Sequence, residues 1–172
     1  YSSPEGRNLA SALMKTIFRQ SYGASSLLAK QRGQAPIFDS DPGMMRFMQP
    51  SSAQLLDDLT LARIRFVGLR NSHLTSIAPT GTISLFAGNI SSGVEPIFAA
   101  EYTRKVLQPD GSHSFETTTD FAVASWRENN EGLPPAYEDA QSISPEAHVL
   151  MQAAVQQYVD SAVSKTINLP AD

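Results

Sequence analysis

A long helical pattern opens the chain. Ser3, Pro4 and Glu5 supply an N-cap, a proline at the first helical position and an acid in the first turn. Leu9, Leu13, Ile17, Ala24 and Leu28 then recur at multiples of about four, Ala10, Ala12 and Leu27 widen the stripe, and Gly33 offers a C-terminal stop. At about 1.5 Å per residue such a helix runs for roughly 40 Å. That length suits the outside of a large barrel better than a compact mini-domain.

The whole sequence has 172 residues, about the size of one ordinary domain, and 41% of them are hydrophobic, enough for a core. Thirteen Lys and Arg stand against seventeen Asp and Glu, a net charge of −4. That balance argues against a polyanion-binding surface and hence against a nucleic-acid partner. There is no cysteine, so disulfides, thiolate metal sites and any cysteine nucleophile or thiyl radical within this chain are excluded. No apolar run approaches the roughly 18 residues of a membrane span, and YSSPEGRNLA is neither a signal nor a transit peptide. The expected compartment is cytoplasmic. Because the chain begins at Tyr1 and ends just after a strand-like SKTINLP, it is expected to be a piece of something longer.

Further along, QAPIFDSDPGMMRFMQPSS reads as an ordered connection with a DPG turn. A second helix is expected from near Ser52 to just before Gly68, using Leu55, Leu56, Leu59 and Ala62. LTSIA reads as a short buried strand. The Pro109-Asp110-Gly111 turn between two β-prone runs predicts a hairpin over 101–118. Phe121 to Trp126 suggest a short helix, and ENNEGLPPAYED a polar loop. A last helix has Ser144 as cap, Pro145 first and Met151, Val155, Val159 and Ala162 on one stripe, leading to a strand at KTINL. With no repeat and no domain boundary, residues 1–172 read as one α/β segment.

The segment Ile77-Ala78-Pro79-Thr80-Gly81-Thr82-Ile83-Ser84 carries the most chemistry. A strand ending in a Pro/Gly turn with three hydroxyls, followed by a helix start, is how an anion site is built: glycine permits close approach, successive N–H groups converge, and a helix dipole favours negative charge. The same pattern also describes an ordinary capped strand-to-helix turn, since the lysine and glycine spacing of a P-loop is absent. The residues alone leave both readings open. His73, His113 and His148 lack ligand spacing, and His148 falls on the last helix as a packed residue. Glu95 reads as a structural hydrogen-bonding group, and Glu101, Arg104 and Lys105 as a solvated strand face with weak ion pairs. Tyr22, Tyr102 and Trp126 read as core or interface aromatics.

Read together, Arg70-Asn71-Ser72, Ala78 to Ser84 as APTGTIS, Ser91 to Pro96 as SSGVEP, and Tyr102-Thr103-Arg104-Lys105 resemble the catalytic core of ribonucleotide reductases. SYGASSLLAKQRGQAPIFD at 21–39 and HVLMQAAVQQYVDSAVSKTINLP at 148–170 extend the resemblance over nearly the whole chain. SSGVEPIFA and SKTINLP look more like the adenosylcobalamin-dependent branch than like the iron- or manganese-dependent ones.

The resemblance implies part of a ten-stranded α/β barrel with a hairpin excursion. It also implies substrate-phosphate binding at Pro79, Thr80, Gly81, Thr82 and Ile83, framed by Ala78 and Ser84. The family's thiyl-bearing loop and its reducing cysteines have no counterpart here and are expected upstream and downstream, so no catalytic residue and no metal ligand is assigned. The implied whole enzyme reduces ribonucleoside di- or triphosphates with adenosylcobalamin, which this segment alone is not expected to bind. The rest of the reductase chain and a second copy are the expected partners, because stripes such as Leu9, Leu13 and Ile17 would lack neighbours. The rival reading is a non-catalytic phosphate-binding or scaffold module derived from the same barrel.

Overall fold

The computed structural model describes residues 1–39 and 53–169. Helix α1 (Pro4–Arg32) runs between the expected signals, and Gly33 closes it with φ +80°, the left-handed geometry that glycine adopts without steric cost. After it come a 3₁₀ turn at Pro36–Phe38, a second at Ala53–Leu55, α2 (Asp58–Val67), α3 (Gly81–Phe86), the strands β1 (Glu101–Leu107) and β2 (His113–Thr119), α4 (Phe121–Arg127) and α5 (Pro145–Gln156). The chain divides into two compact units: one of Pro4–Ile77 and Gln152–Val163, the other of Tyr1–Ser3, Ala78–Met151 and Ser164–Asp172.

The first unit is built on an aromatic core. Phe18, Tyr22, Phe38, Leu56, Ile64, Leu69 and Tyr158 are all buried together, and the Phe18 ring lies 4.7 Å from that of Tyr22, tilted as aromatic pairs prefer. Of α1, the buried residues are Phe18, Tyr22, Ser25, Ser26 and Ala29, whereas Leu9, Leu13 and Ile17 are 63%, 57% and 50% exposed. The face that packs within this unit is therefore not the aliphatic stripe that stands out in the sequence. Two of its members are serines, satisfied in place: Ser25 Oγ takes the Asn71 N–H at 3.1 Å and bonds the Asn71 carboxamide, and Ser26 donates to the Gly23 carbonyl at 2.7 Å.

Helix α2 begins later than expected because Asp57 caps it. The Asp57 carboxylate accepts from both the N–H and the hydroxyl of Thr60 at 2.9 Å, and those hydrogen bonds hold its pKa below the usual carboxylate range. The expected start near Ser52 and the DPG turn lie outside the described residues. Gly68 ends the helix at φ +75°, as expected from its position.

LTSIA and KTINL, both expected as strands, are corrected. Each is free of ladder pairing: a single parallel bridge joins Ile77 to Val163. Ile77 N–H bonds the Ala162 carbonyl at 3.3 Å, while donors on both segments turn to carboxylates. Asp160 accepts the N–H groups of Leu74 at 2.8 Å and Thr75 at 3.2 Å, and the Tyr22 hydroxyl at 2.6 Å. Burial, reinforced by that carboxylate, pushes the Tyr22 phenol well above its ordinary pKa.

In the second unit the hairpin forms as expected, antiparallel from Glu101 opposite Thr119 to Leu107 opposite His113. Gly111 turns at φ +84°, and Asp110 accepts from the Ser112 N–H at 2.9 Å. Asp120 caps α4 by accepting from Ala122 and Val123, and Ser144 caps α5 by accepting from Ala147 at 3.2 Å. The last helix stops at Gln156, short of Ala162, and the Gln156 carboxamide reaches forward to donate to the carbonyls of Val159 and Ser161. Among the described residues this hairpin is the sheet. The architecture is mixed α/β with one antiparallel hairpin, and no ladder among the described residues shows the expected section of a ten-stranded barrel.

Gly68 is where the first unit is least tolerant. A Cβ there would lie 2.0 Å from Gln34 Oε1 and 2.8 Å from Gln34 Cβ, and Gln34 is itself engaged with the Phe38 carbonyl. Gly68→Ala adds the left-handed penalty of about 1–2 kcal/mol to that clash, so its urea midpoint should fall by an amount equivalent to at least ~1 kcal/mol. Gly81→Ala, where nothing lies within 4 Å, should leave the midpoint nearly unchanged.

Candidate functional site

The second unit contains an open cleft of about 630 Å³. Its floor begins at Gly81, just after Thr80, where the backbone (φ −113°, ψ 36°) is not yet helical. Ser84 N–H bonds to the Thr80 carbonyl at 2.8 Å and closes the first turn of α3, so the N–H groups of Gly81, Thr82 and Ile83 precede the first ladder bond. Ser84 Oγ donates to the Gly81 carbonyl at 2.7 Å, which fixes the turn from within. Thr80 Oγ1 accepts the Gly93 N–H at 2.8 Å. Its proton remains free for a ligand, while its lone pair ties the turn to the 91–96 loop.

Of the five residues expected to bind phosphate, Gly81 and Thr82 line the cleft. Thr80 sits behind them as the tie to Gly93, Pro79 is exposed, and the Ile83 side chain is 66% exposed, leaving its N–H as the group of interest. All five are in one continuous turn. Ala78 is exposed and Ser84 buried.

The far end of α3 is anchored by Asn89. Its φ of +62° is the left-handed value for a non-glycine residue, a conformation asparagine tolerates better than most. Asn89 N–H bonds the Ser84 carbonyl at 2.9 Å, its side-chain amide donates to the Thr119 carbonyl at 3.2 Å, and its Oδ1 accepts from the Tyr102 hydroxyl at 2.7 Å. One residue thus joins α3 to both strands of the hairpin. Nothing in the sequence singled it out, although Asn after Gly88 is a turn signal.

Opposite the turn, the cleft is lined by Glu95, Tyr102, Arg104, Thr166 and Asn168. Glu95 is a structural group, as its position before Pro96 suggested. It forms an ion pair with Lys165, whose side chain is 3% exposed, and accepts the Thr166 N–H at 2.6 Å. That carboxylate takes the place of a neighbouring strand for segment 164–169. Lys165 Nζ also stands 5.8 Å from the Tyr1 ring centroid, within cation–π range. Glu101 pairs with Arg127. Arg104, expected on a solvated face, is half-buried on the cleft side of β1; the strand's strict alternation of exposure assigns Tyr102, Arg104 and Val106 to the other face from Lys105.

Behind this wall His148 is fully buried, and neither ring nitrogen makes a hydrogen bond. Burial lowers its pKa, and the Lys165 ammonium lowers it further, against the opposing pull of Glu95 and the Ala140 backbone. The Tyr1 ring packs on it at 5.8 Å. No group of three His, Cys, Asp or Glu side chains among the described residues is arranged to hold a metal ion, and no helix among them is long and apolar enough to cross a membrane.

The family model described as "Ribonucleotide reductase, barrel domain" matches residues 1–172. A vitamin B12-dependent ribonucleoside-diphosphate reductase of Mycobacterium tuberculosis is 35% identical over 193 aligned residues, covering 99% of this chain and 24% of the relative. One of the same name from Thermoplasma acidophilum is 34% identical, covering 100% of this chain and 22% of the relative. A ribonucleoside-diphosphate reductase subunit alpha of Mycoplasma pneumoniae is 25% identical over 97% of this chain. The chain spans about a quarter of the length of the curated relatives it matches.

The buried imidazole gives a pH test. Its folded pKa lies below the unfolded value of about 6.5, so the unfolded state binds the proton more readily. The contribution of neutral His148 is complete above about pH 6.5 and is lost as pH falls toward the folded pKa. Urea midpoints should drop between pH 7.5 and 5.5, and His148→Leu should flatten that drop; an equal drop in both proteins would contradict it.

Proposed function

The chain belongs to the ribonucleotide reductase barrel-domain family, and on that premise we propose that it is a segment of a vitamin B12-dependent ribonucleoside-diphosphate reductase that holds the substrate's phosphates. The observation that carries this is the turn at 79–83. The N–H groups of Gly81, Thr82 and Ile83 lie ahead of the first ladder bond of α3, and Gly81 and Thr82 border a cleft of nucleotide size. In this reading those three N–H groups and the Thr80 and Thr82 hydroxyls donate to phosphate oxygens. Pro79, which has no N–H, sets the turn. The Glu95–Lys165 pair keeps Thr166 and Asn168 at the opposite wall, where the sugar would lie.

The relatives' names imply adenosylcobalamin as the radical source. That group belongs to the whole enzyme in this reading, and this segment alone is not expected to bind it. A thiol-based radical or reductant must equally come from outside this chain, which contains no cysteine. Binding and orienting the nucleotide are the tasks left to these residues. The barrel strands beyond the hairpin are assigned to the remainder of the reductase, a cytoplasmic enzyme in this reading.

Two measurements test the assignment. With adenosylcobalamin and dithiothreitol the 172-residue chain should form no deoxyribonucleotide; formation would refute it. Pyrophosphate or a nucleoside diphosphate should shift the NMR signals of residues 79–84. Gly81→Val should abolish those shifts by blocking backbone approach, a loss of charge-assisted hydrogen bonds at roughly 1.5–3 kcal/mol each. Equal shifts in both proteins would make the loop an ordinary turn.

The exposed Leu9, Leu13 and Ile17 support a further expectation, that this stripe packs on the rest of the reductase and, in the isolated chain, on a second copy. Sedimentation over a hundredfold concentration range should show self-association that Leu13→Lys weakens. A monomer throughout would argue against it.

A further inference from the structure

A phosphate site made of three N–H groups and two hydroxyls carries no formal charge. A six-residue helix adds little dipole, and the chain's net charge of −4 opposes an anion. Three charged side chains line the cleft: Glu95, Arg104 and Asp120. Glu95 is neutralised by Lys165 and by the Thr166 N–H. Asp120 is buried, with Oδ1 turned onto the N–H groups at the start of α4. Arg104 is different: among the described residues it has no carboxylate within 4 Å and makes no side-chain hydrogen bond. Its cross-strand neighbour in the ladder is Glu116, yet the two do not pair. The Glu116 carboxylate instead accepts from the Ser114 hydroxyl at 3.4 Å.

Arg104 is also held in place. It lies two residues beyond Tyr102, whose hydroxyl is fixed on Asn89 at the end of α3, so β1 and the phosphate turn share one anchor. A half-buried guanidinium without a partner, on a rigid strand facing the turn's cleft, is a poor structural choice and a good ligand group. Its planar fork suits two oxygens of one phosphate.

Resting on the phosphate reading above, we infer that Arg104 is the cation of that site, binding the terminal phosphate of the nucleotide and selecting for it by charge. Adding the diphosphate's outer phosphate therefore strengthens binding chiefly through Arg104. A nucleoside monophosphate, which ends short of it, gains little. Lys105 points from the opposite face and contributes nothing specific.

The experiment titrates pyrophosphate, a nucleoside diphosphate and the matching monophosphate into the unaltered chain, Arg104→Gln, Arg104→Lys, Lys105→Gln and Gly81→Val, at low and physiological salt, with thermal melts as a folding control. Arg104→Gln should bind the diphosphate about ten- to a hundredfold more weakly, with a shallower salt dependence, the monophosphate nearly as before, and an unchanged melt. Arg104→Lys should recover part of the loss, and Lys105→Gln should stay within about twofold. Undiminished diphosphate binding in Arg104→Gln, with Gly81→Val inactive in binding, would overturn the role of Arg104 while leaving the phosphate turn intact. Equal weakening of mono- and diphosphate would overturn it too. No binding by the unaltered chain would overturn both readings.

Discussion

Backbone donors that find no strand to pair with must find something else, and in this protein carboxylates supply it. Outside the hairpin the extended segments have little ladder of their own. Asp160 takes the N–H groups of Leu74 and Thr75, and Glu95 takes that of Thr166. Asp57 and Asp120 do the same at helix starts. An unmet buried N–H costs about 1–3 kcal/mol, so each of these acids holds a stretch of chain that hydrophobic contact alone would leave unfixed.

The cleft depends on this device. Glu95 binds segment 164–169 on one side and belongs to the loop whose Gly93 N–H rests on Thr80 on the other. The turn at 79–83, the 91–96 loop and the Thr166–Asn168 wall are therefore linked through a few hydrogen bonds. Asn89 completes the frame by tying α3 to both strands. A ligand entering here meets groups already positioned, which lowers the ordering cost of binding.

Beneath the wall, polar groups are buried at some expense. Lys165 is almost inaccessible and needs Glu95; removing either partner would strand a charge, a change that typically costs about 3–5 kcal/mol. His148 avoids that cost by remaining neutral, because burial disfavours its charged form and the neighbouring Lys165 ammonium adds to that. A neutral imidazole and a paired ammonium thus lie together beneath the wall.

Local chemistry was legible in the sequence wherever it was decided locally. The Ser3-Pro4 start and Gly33 stop of α1, the Pro109-Asp110-Gly111 turn, the Ser144 cap and the continuity of Pro79 to Ile83 as one turn follow from dihedral preferences and side-chain-to-backbone bonds that act within a few residues. The structured order of APTGTIS and SSGVEP also carried the family resemblance. What required tertiary structure were the choices that depend on distant partners. Phe18, Tyr22 and Ala29, and not Leu9 and Leu13, became the packed face of α1 within its unit, because a helix with two apolar faces buries the one its neighbours fit. LTSIA and KTINL have strand-forming residues but lack ladder partners in the described chain, so Asp160 and Glu95 claimed their donors. Arg104 lies on the cleft side because the register of β1 sets which alternate residues face inward, and its lack of a partner among the described residues depends on where Glu95, Asp120 and Glu116 make their own bonds.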